Sequence, residues 1–152
     1  MAGAEPRAAV KQEHIMGLAI FQVDAFTDKP FAGNPAAVCM LPEPRDARWM
    51  QSVAAEMNLS ETAFVVAVGK EYGLGWFTPT VEVPLCGHAT LASAHVLWEG
   101  WLEADEPARF RTESGLLTCV RVGDLIEMDL PVDAPEPIVV SQELRDALGV
   151  EI

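Results

Sequence analysis

A chain of 152 residues, half of them hydrophobic, carries enough apolar material for one ordinary domain with a real core, which excludes a disordered or fibrous protein. Its 23 acidic against 10 basic residues give a formal charge of −13 with no basic stripe, which argues against a nucleic-acid backbone or an anionic membrane surface as partner. No apolar run approaches the ~20 residues that span a bilayer, residues 1–15 lack the apolar core of a secretory signal, and three cysteines without C-x-x-C pairing point to free thiols in a reducing, cytoplasmic compartment.

Along the chain, residues 1–15 show no hydrophobic period and read as a loose, disordered extension ahead of Met16. Leu18 to Phe26 predicts a strand, the turn cluster DKPFAGNP follows, and AAVCML predicts a second strand. Between Asp46 and Asn58, Trp49, Met50, Val53 and Met57 recur at three- and four-residue spacing, the signature of an amphipathic helix. Leu59 to Val68 returns to strand, and GWFTPT makes another short extended piece. From His88 to Trp98, HATLASAHVLW is small or apolar nearly all the way round, so this helix is expected to be buried. ARFRTES, LLTCVRV and LIEMDL are then expected as an antiparallel meander broken at Gly115 and Gly123-Asp124. Strands curling round one buried helix and an ordinary two-layer α+β domain both fit these pieces. After the Pro-rich VDAPEPIVV, Ser141 to Leu148 reads as a helix with Ser141 as N-cap and Gly149 past its end, either opening a further domain or docking on the core.

Two places have chemical potential. Cys86-Gly87-His88 heads the buried helix, where free N–H groups and the dipole favour an anion, Gly87 permits close approach, and Cys86 can have a depressed pKa and carry a proton. Ordinary capping and packing is the competing reading. Asn58-Leu59-Ser60-Glu61-Thr62 joins helix to strand. There Glu61 is either a solvent-facing carboxylate or an acid in an apolar pocket, with its pKa raised for proton transfer near neutral pH. His88 and His95 stand about two turns apart at ~1.5 Å rise per residue, too far to share one metal, so no metal is expected and His95 reads as a core or boundary histidine.

The succession VDAFTDKPFAGNPAAV, AAEMNLSETAFV and WFTPTVEVPLCGHATLASAHV resembles, in order and spacing, the first half of the PhzF-like phenazine-biosynthesis family, over about residues 16–140. The resemblance implies an α+β, diaminopimelate epimerase-like half-domain: a curled, mostly antiparallel sheet around a central buried helix, with the active site in a cleft between two such halves. It implies Glu61 as the catalytic acid–base residue, and Asn34, Gly87 and His88 as substrate-binding residues. Cys86 falls where related epimerases and racemases carry one of two catalytic cysteines, which makes it a candidate acid–base group, although PhzF-like proteins do not uniformly have cysteine there. The implied activity is a cofactor-independent isomerase or epimerase acting on a small carboxylated metabolite, phenazine precursors among the candidates. Nothing in this chain matches the family's other half, with its Glu-Asp-Pro-x-Thr-Gly-Ser type segment. The expected organisation is therefore a half-domain at 16–137 and the start of a truncated second half at 138–152, with a homodimer or the missing half as partner. The alternatives are a non-catalytic half-domain that binds a small anion or another protein, and a cysteine-dependent racemase.

Overall fold

The computed structural model describes residues 17–132, 134–137 and 139–149; the expected extension at 1–15 lies outside the described residues, as do 150–152. The order is β1 (Ala19–Ala25), β2 (Asn34–Leu41), α1 (Ala47–Met57), β3 (Glu61–Val68), β4 (Glu71–Phe77), β5 (Glu82–Val83), α2 (Gly87–Trp98), β6 (Ala108–Thr112), β7 (Gly115–Val122), β8 (Leu125–Asp129) and α3 (Gln142–Leu148). Among the described residues the strands form one sheet in the order β1-β2-β3-β4-β6-β7-β8, with β5 paired to β4. Every pairing is antiparallel except β2 with β3 and β4 with β6.

The two parallel pairings are where a helix intervenes between strands, since parallel neighbours need a crossover and antiparallel ones need only a turn. The helix in the first crossover, α1, and the helix in the second, α2, cover opposite faces. Val38, Ala63, Val65 and Trp76 pack with α2, whereas Cys39, Phe64 and Phe77 pack with Trp49, Met50 and Val53 of α1. That alternation follows from the two-residue period of a strand. It also explains the unbroken apolar runs in β2 and β3, because a strand buried on both faces has no polar side to show.

Helix α2 touches β1, β2 and β3 at one end of the strand order and β8 at the other, so the sheet curls around it. Ala89, Ala92, Ala94 and Leu97 are fully or almost fully buried there. The buried hydroxyls of Thr90 and Ser93 donate to the carbonyls of Cys86 and Ala89, at 2.6 and 2.7 Å, and so satisfy themselves within the helix. The burial is not complete: His95, expected in or near the core, is exposed. Beyond the meander, Ser141 accepts from Leu144 N–H and Gly149 closes the helix at φ 65°, as the cap residues predict, but no residue of α3 is buried. No helix among the described residues is long and apolar enough to cross a membrane.

Candidate active site

The site begins with the way α1 stops. Asp46 caps its start by accepting from Trp49 N–H at 3.0 Å, and Asn58 ends it in the left-handed conformation at φ 52°, which asparagine tolerates better than most residues. The chain therefore turns sharply at Asn58 and enters β3 at Glu61. In β3, Glu61, Ala63 and Val65 share one face by strand parity, and Ala63 and Val65 belong to the cluster around α2. Glu61 thus projects toward α2 from the rim of the sheet.

Parallel pairing brings a second segment to the same rim. Ala36 lies opposite Glu61, so the start of β2, with Asn34 and Pro35, stands beside the start of β3. Asn34 is exposed, and its side chain makes no hydrogen bond among the described residues. The third segment is the head of α2. His88 is buried, with Nε2 3.3 Å from Glu61 Oε2 and 3.3 Å from Ser60 Oγ, and its Nδ1 3.4 Å from Cys86 Sγ. One imidazole therefore bridges a carboxylate and a thiol that lie 25 residues apart in sequence.

The contacts of His88 Nε2 are not equivalent. Hydrogen-bond geometry is met with Ser60, whereas Glu61 Oε2 is buried and has no hydrogen-bond partner despite lying within ion-pair distance. A buried, unpartnered carboxylate oxygen is costly and uncommon. Glu61, Cys86 and His88 also place ligand atoms within 4.8 Å of one another. The nearest ring atoms to Glu61 and Cys86 are different nitrogens of His88, Nε2 and Nδ1, so one imidazole contacts both groups.

The expectation of a depressed Cys86 pKa is corrected. Burial pushes its thiol up to about 11; the backbone N–H groups of Ala89 and His88 pull the other way, and the Glu61 charge adds to the rise. The helix N-terminus acts with the expected sign, but desolvation outweighs it, and Cys86 makes no capping hydrogen bond that would let the N–H groups act at full strength. Cys39 is likewise raised to about 11 and Cys119 to about 12 by burial. Iodoacetamide at neutral pH is therefore expected to modify none of these three cysteines in the folded protein and all three in denaturant, as read by intact mass. Rapid modification of Cys86 in the folded state would show that burial does not govern its titration.

Gly87 is open on the outside: a Cβ built there would meet only Met128 Cε, at an ordinary 3.6 Å. Packing thus makes no demand for glycine at the head of α2. The structure brings Glu61, His88 and Cys86 into contact, with Gly87 beside them and Asn34 nearby on the rim. Ser60, whose Oγ lies 3.3 Å from His88 Nε2, is the neighbour that sequence reasoning left without a role; its signal was its place between the α1 stop and Glu61.

A family model described as "Phenazine biosynthesis-like protein" matches residues 23–147. The chain is 54% identical over 139 residues to an uncharacterized isomerase of Halalkalibacterium halodurans, covering 90% of this chain and 52% of that protein. It is similar to the crystal structure of a phenazine biosynthesis PhzF-family protein of Enterococcus faecalis, with a TM-score of 0.77, 44% identity, and coverage of 90% of this chain and 53% of that one. The chain spans about half the length of the curated relatives it matches. A hydroxyproline epimerase of Agrobacterium vitis shares the fold alone, at a TM-score of 0.52 and 12% identity over 70% of this chain and 38% of that one. The α+β architecture, a curled and mostly antiparallel sheet around α2, is the epimerase-type half-domain that the resemblance implied.

Proposed function

The chain belongs to the phenazine biosynthesis-like family, whose model spans residues 23–147, and on that premise we propose that it carries the acid–base side of a cofactor-independent isomerase or epimerase acting on a small carboxylated metabolite. The observation that carries this reading is the unpartnered Oε2 of Glu61, buried at the sheet rim beside His88. Its function is to take a proton from a carbon of the substrate and return it to the same or a neighbouring carbon. Such a step needs no oxidant or reductant, because bonds to hydrogen are broken and made in equal number.

In this reading the substrate carboxylate lies at the head of α2, where the first-turn N–H groups are free and Gly87 leaves room. Those N–H groups also stabilise the negative charge that develops as the proton leaves. His88 hydrogen-bonds at the reacting centre, Asn34 reaches the ligand from the start of β2, and Cys86, kept as a thiol, is a second proton donor. A second half, or a second copy of the chain, closes the pocket and covers apolar side chains such as Leu116, Val122 and Leu125, which stand exposed on β7 and β8. We place the protein in the cytoplasm, where the three free thiols persist.

The test is a panel of small carboxylic acids incubated with the protein in heavy water, with deuterium incorporation read by mass spectrometry. Uptake into one substrate class that disappears in Glu61→Gln supports the proposal. Ligands that bind and never exchange would make this a binding half-domain instead, and undiminished exchange in Glu61→Gln would remove Glu61 from the chemistry.

A further inference from the structure

Ser60 is exposed at the mouth of the site, and its single hydroxyl proton is already engaged: it donates to the carbonyl of Pro35 at 3.3 Å. Toward His88 Nε2, 3.3 Å away, the hydroxyl oxygen can then act only as an acceptor. With the hydroxyl proton given to Pro35, the ring proton sits on Nε2 and Ser60 accepts it. The neighbouring carboxylate requires the same, because a ring lone pair 3.3 Å from Glu61 Oε2 would be repelled by it. With Nε2 protonated, Nδ1 presents its lone pair to Cys86, and the thiol donates to it across 3.4 Å.

The single Nε2–H has two candidate acceptors at the same 3.3 Å, Ser60 Oγ and Glu61 Oε2, and the ring is oriented for Ser60. This has a chemical consequence. A carboxylate oxygen that accepted the imidazole N–H would have that lone pair occupied when the substrate arrived. We infer that Ser60 is a positioning residue: by taking the Nε2–H of His88 it keeps Glu61 Oε2 unoccupied and ready to receive the substrate proton. The inference deepens the acid–base reading of Glu61 and rests on it. It also gives a reason for Ser60 to link Pro35, at the start of β2, with His88, at the head of α2, since one hydroxyl then ties the three converging segments together.

The ring itself can be observed without any substrate. In the 15N-labelled protein, the His88 ring is expected to show a protonated Nε2 and an unprotonated, hydrogen-bonded Nδ1. In Ser60→Ala the Nε2–H turns to Glu61, so its proton resonance moves downfield, and kcat on the exchanging substrate falls roughly tenfold with KM little changed. Ser60→Thr keeps the hydroxyl and restores both. An unchanged ring spectrum in Ser60→Ala overturns the inference, as does a shifted spectrum with wild-type kcat. Failure of the Glu61 reading is separate: it appears as full exchange in Glu61→Gln, whatever the ring spectrum of the Ser60 variants shows.

Discussion

Glu61→Gln is expected to slow substrate-dependent deuterium exchange by about 10²–10⁴-fold, the usual contribution of a positioned acid–base group, while leaving thermal stability almost unchanged. The two halves of that expectation have the same origin. Oε2 of Glu61 has no hydrogen-bond partner, so replacing it with an amide nitrogen breaks no bond that the fold relies on. The loss of activity is then chemical, since an amide cannot accept and return a proton at neutral pH. Glu61→Asp makes the complementary point. It keeps the acid but withdraws it by about one carbon–carbon bond, ~1.5 Å, and a displacement near 1 Å can cost about 10²-fold. Exchange rates measured beside thermal melts for both variants separate these effects. A variant that loses activity only in proportion to its loss of folded protein would indicate a structural role for Glu61.

The fold was readable in the sequence wherever periodicity was strong. The all-round apolar pattern of His88 to Trp98 predicts a helix enclosed by sheet, and α2 is enclosed, except that His95 is exposed. The caps of the last helix were legible because their chemistry is local: Ser141 and Gly149 each act within a few residues of themselves. The two-residue β5 went unread, and β4 starts at Glu71, ahead of the expected GWFTPT, since glycine-bearing strands lack the branched residues that mark strands.

The candidate site was legible as a set of segments and illegible as a geometry. Glu61 and His88 meet only because β2 and β3 pair in parallel and α2 crosses their face, and no short-range signal encodes a contact across that distance. The Cys86 expectation failed on magnitude. The helix N-terminus was correctly located, but whether its N–H groups or desolvation dominates depends on a burial that sequence cannot supply. Ser60 went without a role for a related reason: its two partners, Pro35 and His88, lie on different elements, so its value is visible only once three chain segments have converged.

Gly33→Ala is expected to lose both stability and activity, although in an unstrained loop the same change would help. Glycine to alanine at a compatible site stabilises by about 0.4–1 kcal/mol through the unfolded state. At Gly33 the new Cβ would collide with the carbonyl oxygen of Ala25, lie 2.6 Å from Thr27 Cγ2 and 3.0 Å from Asp24 Cβ. The first of these is backbone at the end of β1 and cannot swing aside as a side chain would. Relief through the loop is also restricted, because Phe26 and Phe31 already sit in the left-handed region, at φ 63° and 65°, where bulky residues have little freedom. Overpacking of this kind costs about 1–3 kcal/mol, so the clash outweighs the entropic gain, and Tm should fall by roughly 2–8 °C for a chain of this size. The backbone that must move leads directly into Asn34 and Pro35, and Pro35 carries the carbonyl that engages Ser60. Activity measured where both proteins are fully folded should therefore still be reduced, by up to about 10²-fold for a shift near 1 Å. A Tm at or above wild type would mean that the β1–β2 turn relaxes freely. Lowered Tm with full activity in the folded state would separate the turn from the site and leave Ser60 anchored by other means.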